Sequence, residues 1–217
     1  MSIPGGVPTV SQYAITVPIA DFPTGGVLAR GSTVALGDLD ERLLSARMRK
    51  GCLWTTHNIS ALSTGLAPAD SSGANRDSAR WYEIGTLSGT PSVSKWGTLF
   101  DSTAIFAITH PREFWGPSCA MLGQGNMVTV TNVARDGAAT SVPPGEFAGI
   151  AASGRFDGDS AGNFDTPAAA KAPLSPLPQA GVSTYNLSAS ANPHKWSAYS
   201  TVTVDPLDDM TFWSVNS

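Results

Sequence analysis

The chain has 217 residues, of which 41% are apolar and only 14% are charged, against about 25% charged in an average soluble domain, so long charged helices and coiled coils are not expected. Its 22 glycines and 16 prolines together make up about one residue in six. This fraction is below the roughly 25–30% that is typical of low-complexity chains, which indicates a folded, turn-rich protein. The net charge is −4, and the basic residues cluster only at Arg42, Arg47, Arg49 and Lys50, which argues against a nucleic-acid partner.

The first twenty residues contain no Lys or Arg and are interrupted by prolines and glycines, so they do not resemble a signal peptide. No apolar run approaches the roughly 20 residues needed to cross a bilayer, so no membrane span is predicted. Low charge and many Ser, Thr and Gly residues are typical of extracellular proteins. We therefore expect a secreted protein whose signal sequence is absent from this sequence.

Three stretches share one pattern, a short strand, a turn and an apolar or aromatic strand; they are residues 43–60, 117–134 and 199–216. Each predicts a β-hairpin, because the turns hold Gly, Asn, Asp or Pro residues that favour turn dihedrals. Further strands are predicted at 79–86, 92–100, 147–155 and 174–187.

These strands give four per repeat, and a four-stranded antiparallel sheet repeated radially is a propeller blade. The predicted fold class is therefore all-β and β-propeller-like, with four-stranded antiparallel blades in an incomplete propeller or a fragment of one. The predicted divisions are 1–37 (the end of a preceding blade or an N-terminal extension), 38–100 (a blade), 101–187 (a blade with long loops) and 188–217 (the start of a further blade).

Residues 38–50, DLDERLLSARMRK, carry a competing signal. Their acidic start, strong helix formers and basic end are typical of a helix. The strand-like CLWTTHNI follows directly, and the repeat places residues 43–48 in its partner strand. We therefore expect the strand to prevail over the helix.

The C-terminal run HKWSAYSTVTVDPLDDMTFWSVN resembles a signature of large secreted bacterial propeller proteins with sialidase-like and Asp-box-like repeats, a family that is largely uncharacterised. In that family a Trp-Gly-Asp-Tyr-Ser stretch precedes a strand, an Asp-Pro turn and a Thr-Phe-Trp strand. Matching residues are Trp196, Tyr199, Ser200, Asp205, Pro206, Asp209, Thr211, Phe212 and Trp213, whereas Ser197 and Ala198 replace the usual Gly and Asp. The resemblance implies a propeller fold, a turn Asp bonded to local backbone, and an aromatic residue packed between sheets.

Glycoside hydrolysis requires a pair of carboxylates, one on each side of the bond that is cleaved. Asp101, Glu113 and Glu83 are the candidates, and His110 and Arg112 lie in the ITHPRE loop beside the first two. The alternative is a solvated loop of mixed charge. Sialidase activity would also need three arginines on one substrate carboxylate, and no motif selects three among Arg76, Arg80, Arg112, Arg135 and Arg155.

An exposed indole can stack on a sugar ring, so the six tryptophans are candidates for glycan binding. Trp115, flanked by Gly and Pro, is the one we expect to be exposed, with Arg112 as a neighbouring ligand-binding residue. Trp213 is expected to be buried, with its ring packed against a neighbouring sheet.

No cofactor other than calcium is indicated. The run FDGDSAGNFD offers Asp157, Asp159, Asn163 and Asp165 as hard oxygen ligands, although it lacks the glycine and terminal Glu of an EF-hand. The alternative is a solvated polar loop. The two cysteines, Cys52 and Cys119, either form one disulfide or are two small residues buried in strands.

The first expected function is an extracellular module that binds glycans or acts as a scaffold. The alternatives are a sialidase-like glycoside hydrolase that uses loop carboxylates, and a structural self-assembling subunit. The predicted strands supply fewer than the four blades that a ring needs, which leaves sheet edges and faces unpaired. A homo-oligomer is therefore expected.

Overall fold

The computed structural model describes residues 10–70, 72–103, 110–159, 181–185, 193–196 and 199–216. All regular structure within these ranges is β-strand, so the all-β prediction is confirmed and the helix alternative at 38–50 is wrong. The described residues contain no helix that could cross a membrane. The strands are β1 (Ser45–Arg49), β2 (Cys52–Ala61), β3 (Arg76–Gly85), β4 (Ser92–Leu99), β5 (Arg112–Met121), β6 (Met127–Arg135), β7 (Glu146–Arg155), β8 (Thr201–Val204) and β9 (Phe212–Val215).

The strands form three antiparallel sheets, each a meander of consecutive strands. Sheet 1 has the order β1-β2-β3-β4, sheet 2 the order β5-β6-β7, and sheet 3 is the hairpin β8-β9. The three predicted hairpins are therefore present, and the described strands form no closed sheet. Of the predicted strand at 174–187, only residues 181–185 are described, and they form no strand.

Sheets 1 and 2 pack face to face through side chains that alternate along each strand. Trp54 and Trp81 of sheet 1 pack with Cys119, Met121 and Met127 of sheet 2, with Cys52 at the border. The two indole rings are stacked, with centroids 5.9 Å apart. Both cysteines are free thiols, so the disulfide alternative is wrong.

Sheet 3 covers part of the opposite face of sheet 2. Val202 is fully buried there with Val128 and Val130, and Phe212 packs against this cluster. Successive residues of a strand point to opposite faces, so Trp213 points away from sheet 2 and is 60% exposed. The prediction that Trp213 packs between sheets is wrong, and Phe212 takes that position.

The turn between β8 and β9 is held by its own carboxylates. Asp208 Oδ1 accepts hydrogen bonds from Met210 N and Thr211 N at 2.8 and 2.9 Å. Asp205 accepts from Leu207 N through Oδ1 and from Trp213 Nε1 through Oδ2. Bonds of this kind from an Asp to local backbone were expected for this turn, and they fix the hairpin geometry.

The outer face of sheet 1 is covered by the segment before residue 22 and by the loop after β2. Arg80 is fully buried on this face, with its guanidinium 4.5 Å from the Trp96 ring centroid. Arg80 also donates hydrogen bonds to the carbonyl oxygens of Ile19 and Gly65, and to Thr98 Oγ1. This arginine therefore fastens both covering segments to the sheet.

Residues 27 and 36 pair as an antiparallel bridge, and Leu36 also pairs in parallel with His194. Val27 and Leu36 are fully buried together with Trp115 of β5. Trp115 is 0% exposed, so the prediction that its indole is available to a ligand is wrong. The Gly and Pro around Trp115 correspond to a bulge in β5, and the 27–36 hairpin covers the ring.

Candidate functional site

Ionisable side chains gather at one end of the sheets, where β3, β5 and β7 begin and β4 and β6 end. We call this region the ionic end. Its members are Arg76, Asp77, Asp101, Arg112, Glu113, Arg135 and Glu146, all of which lie within strands except Asp101, which follows β4. The antiparallel meanders bring these positions together, although 70 residues separate the first from the last.

Asp101 is surrounded by donors. Its Oδ1 accepts from Thr103 N and Oγ1, at 2.8 and 2.5 Å, and its Oδ2 accepts from Arg112 N at 2.8 Å and Arg135 Nη2 at 3.0 Å. Burial alone would raise the pKa of Asp101, but the bonds from Thr103 and Arg112 and the charge on Arg135 hold it below the ordinary value. Asp101 is therefore an ionised carboxylate with both oxygens engaged.

Three of the five scattered arginines meet at the ionic end. Arg112 forms a bidentate pair with Glu146, with Nε and Nη2 each 2.8 Å from one of its oxygens. Arg135 lies 3.0 Å from Asp101 and 3.9 Å from Glu146, and Arg76 donates to the carbonyl oxygens of Asp101 and Thr103. Arg112 and Arg135 are thus balanced by carboxylates of the chain itself, whereas Arg76 is bonded to backbone carbonyls.

A second group at this end contains carboxylates only. Asp77 is fully buried and Asp38 is 5% exposed, while Glu113 is partly buried. Asp77 N donates to Glu113 Oε2 at 3.4 Å, and Asp77 Oδ1 accepts from Thr24 N at 2.7 Å. Gly25 N and Gly26 N donate to Asp38 Oδ2. The positive φ angles of these two glycines, 97° and 133°, allow both amides to face one carboxylate.

Burial raises the pKa of Glu113 to about 8, and the negative charges of Asp38 and Asp136 add to this effect. Burial and the neighbouring Glu113 and Asp38 also raise the pKa of Asp77 well above its ordinary range. Glu113 is therefore protonated for much of its population at neutral pH. The ionic end thus contains two carboxyls whose pKa is raised, Glu113 and Asp77, and one whose pKa is lowered, Asp101.

The other predicted catalytic residues have different surroundings. His110 Nδ1 lies 3.7 Å from Asp136 Oδ2, and the His110 side chain is 45% exposed. Glu83 is at the opposite end of β3, where its carboxylate accepts from Ser94 Oγ at 3.0 Å and lies 3.7 Å from Lys95 Nζ. The structure thus brings Asp101, Arg112 and Glu113 to one end and places Glu83 apart from them.

The calcium prediction falls partly outside the described residues, because Asn163 and Asp165 belong to a range that is not described. Asp157 lies 3.8 Å from Lys50, and Asp159 Oδ2 accepts from Phe156 N at 2.9 Å. Within the described ranges no group of three or more His, Cys, Asp or Glu side chains is arranged to hold a metal ion.

A cleft of about 320 Å³ lies over β6 and β7, on the face of sheet 2 that sheet 3 leaves open. Two aromatic residues form one wall, Tyr185 and Trp196, whose rings meet edge to face with centroids 4.8 Å apart. The remaining lining residues are Asn132, Ala148, Gly149, Ile150, Gly181, Val182, Ser183 and Thr184. We call this the aromatic cleft.

Contacts with neighbouring segments position the cleft wall. Tyr185 OH donates to the carbonyl of Lys195 at 3.4 Å, and Thr184 Oγ1 donates to the carbonyl of Arg30 at 3.3 Å. Asn132 is 1% exposed and donates to the carbonyl of Trp115 at 3.2 Å. The Trp196 Nε1 donor is buried and has no acceptor among the described residues.

Sequence reasoning included Trp196 among the six tryptophans that could bind a glycan but preferred Trp115, and it did not find Tyr185 or Asn132 as site residues. Tyr185 follows a Gly, Pro and Ser-rich stretch without periodicity, and Asn132 lies inside a strand, so neither position carries a local signal. The Trp and Tyr residues in otherwise irregular segments are the only signal that could have suggested this cleft.

No family model, curated protein or solved structure matches this chain. The ionic end and the aromatic cleft are therefore the features of the structure that bear on function.

Proposed function

We propose that the protein is an extracellular glycan-binding module and that the aromatic cleft is its binding site. The observation that carries the proposal is the pairing of Tyr185 and Trp196 on one wall of a mainly apolar cleft of about 320 Å³. Small-ligand sites are typically concave, largely apolar and about 300 Å³ or more, with a few polar groups that fix orientation. Asn132, Ser183 and Thr184 are such groups here.

The lining favours an uncharged sugar. Among the described lining residues none carries a formal charge at neutral pH. A bound carboxylate or phosphate would lose water without gaining a cation, which is unfavourable. A pyranose instead offers an apolar face to an aromatic ring and hydroxyl groups to polar side chains such as those of Ser183 and Thr184. We therefore expect neutral hexose chains as ligands, in preference to sialylated or uronic-acid glycans.

A glycan array that includes neutral, sialylated and uronic-acid oligosaccharides tests the proposal, followed by calorimetric titration of the best ligand. The change Trp196→Ala should weaken binding at least tenfold, about 1.4 kcal/mol, because it removes one of the two aromatic rings of the cleft wall. The matched control is Tyr13→Ala, since Tyr13 is 48% exposed and lies outside the cleft. Absence of any glycan ligand, or equal losses in both variants, would contradict the proposal.

A glycoside hydrolase is a second candidate, and the opposite pKa shifts of Glu113 and Asp101 favour it. Glycoside hydrolysis uses one protonated carboxyl as the acid and one ionised carboxylate as its partner, so two carboxyls with different pKa values suit this reaction. Chromogenic glycosides test this candidate, with Glu113→Gln expected to abolish turnover. Because Asp101 already accepts four hydrogen bonds, glycan binding without turnover remains our first proposal.

We further propose that the three sheets are successive propeller blades. Two observations support this: each sheet is a meander of consecutive strands, and sheets 1, 2 and 3 stack in chain order. The first strands β1, β5 and β8 lie near one another, as inner strands of neighbouring blades would, and Arg47 Nη2 of β1 donates to the carbonyl of Val202 in β8 at 3.3 Å. A solution or crystal structure at atomic resolution tests this relation directly.

A further inference from the structure

The chain contains two Asp-Gly dipeptides, Asp136-Gly137 and Asp157-Gly158, each of which follows a strand of sheet 2. A backbone nitrogen can attack the side-chain carboxyl of a preceding aspartate, and the attack closes a five-membered imide ring. Glycine favours this reaction because it has no Cβ to obstruct the nitrogen. The sequence alone makes the two dipeptides equivalent candidates, and the structure distinguishes them.

The first dipeptide has its nucleophile beside its electrophile. Gly137 N donates a hydrogen bond to Asp136 Oδ1 at 2.6 Å. The carbon that the nitrogen would attack, Asp136 Cγ, is one covalent bond from that oxygen, so the two reacting atoms are close to contact. A separation of about 3–3.5 Å between reacting atoms is typical of conformations that react without a further search. Rotation about the single Cβ–Cγ bond then turns the face of the carboxyl toward the nitrogen.

The loop between β6 and β7 holds this arrangement in place. Gly137 has a φ of 117°, which residues with a side chain rarely adopt, and a Cβ at this position would lie 3.0 Å from Ser141 Oγ. Ser141 Oγ accepts a hydrogen bond from Ala138 N at 2.9 Å, and the Ala138 carbonyl accepts one from Gly145 N at 2.9 Å. These bonds fix the backbone that follows Gly137, so its nitrogen stays against the Asp136 carboxyl.

The second dipeptide is more exposed, but its carboxylate is turned toward other groups. The Asp157 side chain is 53% exposed, against 32% for Asp136. Asp157 Oδ2 lies 3.8 Å from Lys50 Nζ, and a Cβ placed on Gly125 would lie 2.5 Å from Asp157 Oδ1. Ring closure here would first require the carboxylate to leave these neighbours and turn toward Gly158. Exposure therefore favours the second dipeptide, whereas geometry favours the first.

We propose that Asp136-Gly137 is a self-modification site, at which the folded chain forms a succinimide and then isoaspartate. Gly137 N bonds to Cγ of the Asp136 carboxyl in its acid form; the nitrogen loses its proton, and one carboxyl oxygen leaves as water. A water molecule then adds to one of the two imide carbonyls. Addition at the side-chain carbonyl restores aspartate, and addition at the main-chain carbonyl gives isoaspartate, whose main chain runs through Cβ and Cγ. The reaction needs no reagent besides water and no oxidant.

The product changes the connection between β6 and β7 at the ionic end. Isoaspartate adds one carbon to the main chain directly after Arg135, whose guanidinium lies 3.0 Å from Asp101. It also moves a carboxylate whose negative charge acts on Glu113. The aromatic cleft is lined by other residues, so this proposal and glycan binding fail independently.

Prolonged incubation of the full chain at neutral pH, both folded and unfolded in urea, tests the proposal. Trypsin places the two dipeptides on different peptides, residues 136–155 and 156–171. Synthetic peptides with aspartate or isoaspartate identify each product by chromatography, because the two forms have the same mass. In the folded chain isoaspartate should accumulate at position 136 at least about tenfold faster than at position 157. In urea the two rates should become similar, because the fixed geometry is lost.

A loop variant tests whether the hydrogen bonds around Gly137 position the nitrogen. Ser141→Ala removes the acceptor of Ala138 N, so the folded rate at position 136 should fall toward the rate in urea. The matched control is Thr140→Ala, which changes the exposed neighbour in the same loop and should leave the rate unchanged. Circular dichroism checks that both variants are folded.

Equal accumulation at the two positions in the folded chain would overturn the proposal, as would earlier accumulation at position 157. A preference for position 136 that persists in urea would assign the effect to the neighbouring sequence and would overturn it as well. A folded chain that stays unmodified while the unfolded chain converts both dipeptides would show that the fold protects Asp136. An unchanged rate in Ser141→Ala would contradict positioning by the loop.

Discussion

Arg49 Nη2 lies 2.5 Å from Asp209 Oδ1, although 160 positions separate the two residues in the chain. The second oxygen of Asp209 accepts from Gly123 N at 2.9 Å. Asp209 thus joins the turns of all three hairpins: Arg49 lies where β1 ends, Gly123 between β5 and β6, and Asp209 between β8 and β9. Lys50 adds a further link by donating to the Gln124 carbonyl at 3.2 Å. One end of the stack is therefore held together by its turns.

The coupling between Arg49 and Asp209 can be measured with a double-mutant cycle of Arg49→Ala and Asp209→Ala. Both side chains are 42% exposed, so the coupling free energy should be only about 0.2–1 kcal/mol. Asp209→Ala alone should cost more than Arg49→Ala, because it also removes the acceptor of Gly123 N. Urea unfolding gives all three values. Equal single-variant costs would mean that the bond to Gly123 contributes nothing.

The two neighbouring aromatics of β9 should differ in their effect on stability. Phe212→Ala removes apolar contacts with the outer face of sheet 2 and should lower the free energy of unfolding by about 1–3 kcal/mol, below the range for fully buried rings because Phe212 is only partly buried. Trp213→Ala should cost less than about 1 kcal/mol, since this side chain is mostly exposed. Thermal unfolding at low protein concentration, where association is minimal, compares them. A larger loss for Trp213 would contradict the orientation of β9.

Stability should fall as pH rises from about 6.5 to 8, because Glu113 binds its proton more tightly in the folded state. Below about pH 6.5 the buried His57, whose pKa is lowered by burial to about 4, has the opposite effect and offsets part of the fall. Its pKa is about 8 when folded, against an ordinary value of 4.5. The stabilisation is fully present below about pH 4.5 and is lost as pH rises through about 8, with a slope on the order of 1 kcal/mol per pH unit. Denaturant unfolding at a series of pH values measures this slope.

The variant Glu113→Gln imitates the protonated side chain and should flatten the slope in that interval while raising stability at the alkaline end. Glu83→Gln is the control, since Glu83 lies at the opposite end of β3 from Asp77 and beside Lys95. Glu113→Gln with the original slope would assign the pH dependence to Asp77, whose pKa is also raised by burial.

Trp115 should be one of the most sensitive positions in the chain. Its ring is fully buried with Val27 and Leu36, so Trp115→Ala should destabilise by about 3–5 kcal/mol. Trp196→Ala, at the cleft wall, should cost less and affect ligand binding instead. Calorimetric melting compares the two. An unchanged melting temperature for Trp115→Ala would mean that the 27–36 hairpin does not cover this ring in solution.

The strands and hairpin turns could be predicted from the sequence because their signals are local. Alternation of apolar residues and turns rich in Gly, Asn and Asp are both short-range properties, and they located β1–β7 and the β8-β9 hairpin. Local signals could not predict which side chains of β9 face sheet 2. Phe212 and Trp213 are adjacent aromatics, only one of which can point inward, and the pairing of β9 with Val202 and Val204 selects Phe212.

The sites depend on contacts that no local pattern encodes. Asp77 and Glu113 are 36 positions apart and become buried together only because the segment with Thr24 and Asp38 lies over them. Trp115 looked exposed for a similar reason: its cover is a Gly-rich segment whose only regular pairing is the bridge from Val27 to Leu36. The family resemblance suggested a fold, and the fold class alone is confirmed.

The stacked indoles of Trp54 and Trp81 give the interface between sheets 1 and 2 an optical signature. Two identical chromophores 5.9 Å apart, with ring planes inclined by 24°, couple their excited states and split the shared transition. The folded protein should therefore carry an exciton couplet in the far ultraviolet on top of its β-sheet spectrum. Because the couplet requires both rings in register, its disappearance during unfolding reports the separation of these sheets independently of the loss of backbone structure.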